Sequence, residues 1–353
     1  MKKNVLFKEL PLPAHFDPQK VGQVWRVPYQ EIAHAARDWA REHNIPSAFT
    51  HRFRIALIGI DIQNTFCIPD FELYVAGRSG YGAVEDNVRL CEFIYRNLGR
   101  ITHITVTLDT HQAMQIFHPI FLVDKNGEHP QPFTMISNED IKQGRWKLNP
   151  ALCDSMKCDP SYAQKYLDHY TRQLEEKNKY NLTIWPYHAM LGGIGHALVP
   201  SVEQAIFFHT VATYSQTFFE IKGDRPLTEH YSALGPEVLT GPEGEQIAQR
   251  NNRFIKLLEE YDVVIIAGQA KSHCVAWTID DLLNDIMTQN EELAKKVYLL
   301  EDCTSPVVIP DVIDYTDEAN KAFDRFAEAG MNIVRSDEPI DNWSGLQEKL
   351  AKY

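Results

Sequence analysis

Four short β-branched runs punctuate the chain, "RIALIGID" from Arg54, "ITHITVTLD" from Ile101, "DVVIIAG" from Asp262 and "KVYLLED" from Lys296. Apolar runs of this kind mark strands buried on both faces, which are parallel strands covered by helices. Helical periodicity over residues 28–42, 83–98, 245–260, 274–287 and 317–329 supplies the covering layers. Alternating strands and helices require right-handed crossovers, and this predicts an α/β fold: a three-layer α/β/α sandwich around a mainly parallel, doubly wound sheet. Ligands of such sheets bind beyond the carboxyl ends of the strands. Asp61, Asp109 and the turn from Gly268 to Cys274 all sit at those ends.

Composition narrows the partner. A chain of 353 residues that is 44% hydrophobic can bury one large core or two modest ones. A formal net charge of −13 argues against general affinity for nucleic acid or an anionic membrane, because both need a basic face to displace counterions. A small-molecule partner is expected instead. No apolar run approaches the roughly 18 residues of a membrane span, and the opening "MKKNVLFKELPLPAHFD" has no apolar segment of signal-peptide length, so a cytoplasmic location is expected. Six scattered cysteines read as reduced thiols, and Cys153 with Cys158 lacks the second pair that a structural zinc site needs.

Two regions break the alternation. Residues 1–51 read as an N-terminal extension that packs on the core, and residues 119–181 as an insertion. Within the insertion Tyr162, Tyr166, Tyr170 and Leu174 are spaced four apart, one stripe of an amphipathic helix, and this marks a lid or an interface.

Cys274 lies between a strand ending at Gly268 and the helical face of Ile279, Leu282, Leu283 and Ile286. A thiol at a helix N-terminus is favoured as thiolate by the backbone N–H groups and the dipole, and the same N–H groups could receive an oxyanion. A buried cysteine acting as a small hydrophobe is the competing reading. Asp61 could accept the thiol proton and later protonate a leaving amine, or simply cap a loop. Lys222 could lower the thiol pKa, or be a solvated lysine. Asp109, His111 and His188 offer two imidazoles and one carboxylate, a set suited to zinc, iron or manganese if the three converge.

Read together, "DIQNTF" at 61–66, "DTH" at 109–111, "IWPYH" at 184–188, "KGDRPLTEHYSA" at 222–233 and "AGQAKSHCV" at 267–275 resemble the isochorismatase-like cysteine hydrolases, and within them the nicotinamidases. The resemblance spans residues 52–337 as one hydrolase domain and leaves 338–353 as a C-terminal tail. It implies an Asp61, Lys222 and Cys274 triad, a cis bond between Gln269 and Ala270, and an oxyanion hole from the N–H groups of Ala270 and Cys274. It further implies a divalent metal, zinc first and iron or manganese otherwise, on Asp109, His111 and His188. Phe66 and Trp185 would flank a planar substrate, and no organic cofactor is expected.

The implied activity is hydrolysis of a small cyclic or aromatic amide such as nicotinamide through a thioester, with release of ammonia or amine. The alternatives are vinyl ether hydrolysis of the isochorismatase kind, or a catalytically silent binding protein on the same fold. The resemblance also implies a homo-oligomer, with the aromatic helix over residues 161–178 as the candidate interface. Two departures stand out. Ala189 replaces the cysteine usual after the metal-binding histidine, and the 119–181 insertion follows "DTH" closely. His118, a loop histidine, is left outside the ligand set.

Overall fold

The computed structural model describes residues 9–350; residues 1–8 of the expected extension and 351–353 of the expected tail lie outside the described residues. The chain divides into two compact units. The first holds the described residues up to Leu108, Ala197–Glu220 and those from Asn252 onward, and the second holds Asp109–His196 and Ile221–Asn251.

The first unit carries a six-stranded sheet built from β1 (Ile55–Ile60), β2 (Ile101–Asp109), β3 (Phe218–Lys222), β4 (Val263–Gly268), β5 (Val297–Leu300) and β6 (Asn332–Val334). The last residues of β2 and β3 are counted with the second unit. Strand order is β6-β5-β4-β1-β2-β3, and β1 with β2, β1 with β4, β4 with β5, and β5 with β6 are all parallel. Every residue of β1 and β4 is buried, which explains the unbroken apolar runs that announced them.

Among the described residues the longer helices are α1 (Tyr29–Glu42), α2 (Gly82–Arg96), α3 (Pro160–Glu176), α4 (Pro200–Thr213), α5 (Arg253–Glu260), α6 (Ala276–Gln289) and α7 (Thr316–Glu328). The path from β1 through α2 to β2 runs one way across the sheet, and the path from β4 through α6 to β5 and α7 to β6 runs the other. Right-handed crossovers in opposite directions place α2 on one face and α6 and α7 on the other. Packing follows that division: α2 contacts α4 and α4 contacts α1, whereas α6 contacts α5 and α7. This is the doubly wound parallel sheet expected from the sequence, and its order reverses between β1 and β4.

Three elements differ from the sequence reading. The predicted helix over 245–260 begins only at Arg253. Ahead of it the Ile247 and Asn251 N–H groups donate to the carbonyls of Leu239 and Leu234, so this backbone pairs with a neighbouring segment and not with itself. Helix α4 was not anticipated because it buries Ser201, Gln204, His209 and Thr213 among its apolar residues, which erases an amphipathic stripe. Strand β6 has only three residues, too few to show a period.

Gly268 closes β4 against β1. Its φ is +120°, the Gln269 N–H donates to the Ile60 carbonyl at 2.8 Å, and a Cβ at Gly268 would lie 2.1 Å from the Ile60 oxygen. No side chain fits there without moving the strand end. Gly268→Ala is expected to lower stability by ~3 kcal/mol or more. An unchanged denaturant midpoint would contradict this account of the turn.

In the second unit Leu122–Val123 pairs with Lys147–Leu148, and Met135–Ile136 pairs with Leu182–Thr183, both antiparallel. Helix α3 is the aromatic helix, one residue longer at its start than predicted and two shorter at its end; Asp159 caps it by accepting the Tyr162 N–H. Its stripe is spent inside the unit. Tyr166, Tyr170 and Leu174 are buried, the Tyr166 hydroxyl donates to the Leu227 carbonyl at 2.7 Å, and the Tyr170 hydroxyl accepts from the Glu229 N–H at 3.0 Å. The stripe that suggested an interface is therefore core. No helix among the described residues is long and apolar enough to cross a membrane.

Candidate functional site

In the second unit, strand β2 delivers Asp109 and leads directly into His111. The Thr110 N–H donates to the Lys222 carbonyl at 2.8 Å, and the His111 N–H donates to the Ala189 carbonyl at 3.0 Å. These backbone bonds draw residues 109–111, 188–190 and 222–223 together. One ligand atom from each of Asp109, His111 and His188 lies within 4.8 Å of the others, and all three residues are buried. The three metal candidates of the sequence thus converge.

The protonation pattern of this group follows from its contacts. Lys222 Nζ donates to Asp109 Oδ1 at 3.0 Å and to the His230 carbonyl at 2.8 Å. His111 places Nε2 2.8 Å from Asp109 Oδ2 and Nδ1 3.1 Å from the Gly223 carbonyl. Both partners are acceptors, so this ring carries two N–H donors and a positive charge. Burial pushes the Asp109 carboxyl up, but His111 and Lys222 outweigh it and hold it below the usual carboxylate range. Burial also pushes His111 down, and Asp109 overcomes that to raise it.

His188 donates Nδ1–H to the Pro186 carbonyl at 2.8 Å, leaving Nε2 as a lone pair 3.8 Å from Asp109 Oδ2. Burial, then the neighbouring His111, holds it well below the ordinary histidine value. The donor set fits a divalent cation: each ring is oriented by a backbone carbonyl at Nδ1 and presents Nε2 to one carboxylate, the arrangement by which imidazoles are aimed at a metal. A metal would take the place of the His111 Nε2 proton. Gly223 gives the cluster room, since at φ +83° its Cβ would sit 2.6 Å from Asp109 Oδ1 and 2.7 Å from His111 Cε1.

Three neighbours lie beside this group: His118, which the sequence reading left outside the ligand set, and Glu229 and His230, which it did not single out. His118 is fully buried, donates Nδ1–H to the Gln112 carbonyl at 3.0 Å, and has its ring centroid 5.9 Å from those of His111 and His188. Its Nε2 has no hydrogen-bond partner among the described residues. Burial, then His111, pushes its pKa down to about 4, so Nε2 keeps its lone pair. Glu229 is buried, and burial pushes its carboxyl up to about 8 against the pull of His111. His230 accepts the Gly223 N–H on Nδ1 at 3.0 Å, and burial, then Lys222, drives its pKa down to about 3. The only signal for Glu229 and His230 was their place in "KGDRPLTEHYSA", and His118 stood in the loop segment "IFHP", where an isolated His has no period to betray burial.

In the first unit Asp61 follows β1 with φ +47° and no solvent exposure. Thr107 fixes it twice: its hydroxyl donates to Asp61 Oδ1 at 2.5 Å and accepts from the Asp61 N–H at 3.0 Å. Beyond β4 the Gln269–Ala270 bond is cis, as the resemblance implied. Cys274 lies in the single wide turn Lys271–Val275 that opens into α6, and it is buried. Ile60 pairs with Gly268 in the β1–β4 register, so Asp61 and the turn carrying Cys274 leave adjacent strands where the sheet order reverses. Phe66 is buried in the short helical turn Asn64–Cys67 of the same unit. Trp185, in the second unit, is buried and donates its indole N–H to the Tyr231 hydroxyl at 2.9 Å.

The turn is held from behind by Asp86 of α2. Its Oδ2 accepts from the Gln269 side chain at 2.8 Å and its Oδ1 from Arg89 at 2.9 Å. Burial pushes Asp86 up to about 6 against its hydrogen bonds to Gln269, Ser305 and Arg89. A carboxyl whose folded pKa exceeds its unfolded value makes the native state bind more protons. Its stabilising contribution is full below about pH 4 and is lost as pH rises through about 6. Asp86→Asn is expected to flatten stability over that window. Unfolding midpoints that fall equally steeply in both proteins would refute this.

No family model and no curated protein matches the chain. Among solved structures it is similar to a nicotinamidase/pyrazinamidase from Acinetobacter baumanii, with 18% identity, 81% of this chain and 98% of that chain covered, and a TM-score of 0.47. It is similar to the yeast nicotinamidase, with 20% identity, 79% and 99% covered, and a TM-score of 0.47. A third is the pyrazinamidase of Pyrococcus horikoshii in complex with zinc, with 17% identity, 80% and 99% covered, and a TM-score of 0.41.

Proposed function

We propose that this protein is a cysteine-dependent amidohydrolase that cleaves a small cyclic or aromatic amide and releases ammonia or amine. The observation that carries the reading is the juxtaposition of Asp61 and the Cys274 turn at the reversal point between β1 and β4. A carboxylate and a thiol leaving adjacent strands at such a point can act on one ligand.

In this reading Asp61 takes the Cys274 proton, and the thiolate sulfur bonds to the carbonyl carbon. The N–H groups of Ala270 and Cys274 receive the oxyanion. As the C–N bond breaks, Asp61 returns the proton to the departing nitrogen, which leaves as ammonia or amine. Asp61 then deprotonates water, whose oxygen bonds to the thioester carbon; the C–S bond breaks, the acid leaves and the thiol is restored. Lys222 is assigned by the motif resemblance as the cation that keeps Asp61 and Cys274 charged, and Phe66 and Trp185 as the walls for a planar ring. Asp109, His111 and His188 would hold a divalent cation, with zinc the first candidate, and the chemistry it supplies is Lewis-acid polarisation and orientation of substrate or water.

The decisive experiment is an ammonia-release screen over nicotinamide, other aromatic amides, ureides and carbamoyl compounds. Turnover of at least one, lost in the Cys274→Ala variant, is the expected result. Pyruvate release from a vinyl ether in place of ammonia would move the protein to the other chemistry. Elemental analysis of protein purified without added metal is expected to find a stoichiometric divalent ion, and substoichiometric content in every preparation would remove the metal from the reading.

A further inference from the structure

Cys153 and Cys158 are brought together by the backbone of the second unit. The short turn Cys153–Met156 ends at Lys157, which takes the left-handed conformation at φ +52°, and the chain folds back there. The Lys157 and Cys158 N–H groups both donate to the Cys153 carbonyl, the second at 3.1 Å. A bond from the sixth residue of such a turn to the first sets their two side chains against each other, where helix ends ordinarily make an apolar contact. Here both side chains are thiols. Disulfides span Cα atoms roughly 4.4–6.8 Å apart, and a direct backbone bond between the two residues holds theirs close to that range.

The two thiols differ in access. Cys153 is 6% exposed, whereas Cys158 is the one cysteine of the six that is not buried. Burial, then a hydrogen bond with the Cys153 thiol, pushes the Cys158 pKa up to about 11. A pair with no stabilised thiolate gives up little when it is oxidised, unlike dithiols whose thiolate is held by a cation or a helix N-terminus.

We infer that Cys153 and Cys158 are a redox-active pair, which a low-molecular-weight disulfide converts into an intramolecular disulfide. Cys158, the accessible member, loses its proton to solvent, and its thiolate attacks one sulfur of the small disulfide. The S–S bond of that molecule breaks, and its other half leaves as a thiolate that takes up a proton. Cys153 then loses its proton, its sulfur bonds to that of Cys158, and the remaining half leaves in the same way. The chain is oxidised by two electrons and the small disulfide is reduced to two thiols. The new bond staples the chain immediately ahead of α3, next to the cap residue Asp159.

The test is incubation of the full chain with glutathione disulfide at about pH 8.5, where thiolate is available, followed by blocking of free thiols, unfolding and tryptic mapping. Cleavage after Lys147, Lys157 and Lys165 puts the two cysteines on separate peptides, residues 148–157 and 158–165, so the bond is read as their covalent linkage. In the parent the linked pair is expected to exceed the 158–165 peptide carrying glutathione by about tenfold or more, because the neighbouring thiol acts at a high effective concentration. Cys153→Ser is expected to leave glutathione on Cys158, and Cys158→Ser to leave Cys153 a free thiol. Mapping of the parent decides the matter by itself should either variant fail to fold. Glutathione persisting on Cys158 of the parent, linkage of Cys158 to any other cysteine, or recovery of both peptides as free thiols would each overturn the inference.

Discussion

Replacing Cys274 with Ala is expected to reduce amide turnover by a factor on the order of 10³ or more while the protein remains folded. The asymmetry follows from where the thiol lies. Cys274 is buried in the wide turn Lys271–Val275, and that turn is held by contacts that do not use the sulfur. The Lys271 N–H donates to the Ser305 carbonyl, the Val307 N–H to the Ser272 hydroxyl, and the Gln269 side chain to Asp86. Removing one sulfur atom therefore deletes the proposed nucleophile and leaves the scaffold in place. Asp61→Asn is the companion variant, since it keeps the side-chain shape and the bond from Thr107 but cannot accept a thiol proton. Ammonia release and thermal melting are measured on the same preparations. A Cys274→Ala protein that turns over as fast as the parent would place the nucleophile elsewhere, and one that fails to fold would give the cysteine to the core.

The sequence was most readable where burial is continuous. Strands β1 and β4 are buried at every position, so their apolar runs stand out, and the residues proposed for the chemistry follow immediately at Asp61 and in the Cys274 turn. The convergence of Asp109, His111 and His188 was not readable from spacing, because His188 arrives on a loop tied to His111 by backbone bonds through Ala189 and Met190. Only the motif resemblance anticipated it. The aromatic stripe of α3 gave a helix correctly but misled about its role: an amphipathic pattern says that one face is covered, not by what. Here Leu227 and Glu229 meet two of its tyrosine hydroxyls, and the cover is the same unit. The burial of His118, which the sequence reading left outside the ligand set, and of the His230 Nε2 was not readable, because it is set by tertiary packing alone.

Lys222→Met is expected to destabilise the metal-stripped protein by ~3–5 kcal/mol and the zinc-loaded protein by clearly less. Lys222 is 1% exposed and donates to Asp109 Oδ1 at 3.0 Å, while Asp109 is itself buried. Methionine fills a similar volume, so the main loss is the positive charge beside a buried carboxylate. Breaking one side of a buried pair costs most when nothing else neutralises the remaining charge. In stripped protein His111 stays next to Asp109, at 2.8 Å. A divalent ion held by Asp109, His111 and His188 would displace the His111 Nε2 proton, so it would add one net positive charge at that carboxylate and absorb part of the penalty. The linkage is reciprocal, so whatever stability zinc restores to the variant must reappear as tighter zinc binding by the same free energy. Loss of the competing ammonium charge makes the direction of that change unambiguous. Denaturant unfolding in chelator and in zinc, together with zinc titrations of both proteins, measures the two halves of the cycle independently. Equal destabilisation in the two solutions, with unchanged zinc affinity, would mean that Asp109 pairs with Lys222 for structure and does not hold the cation.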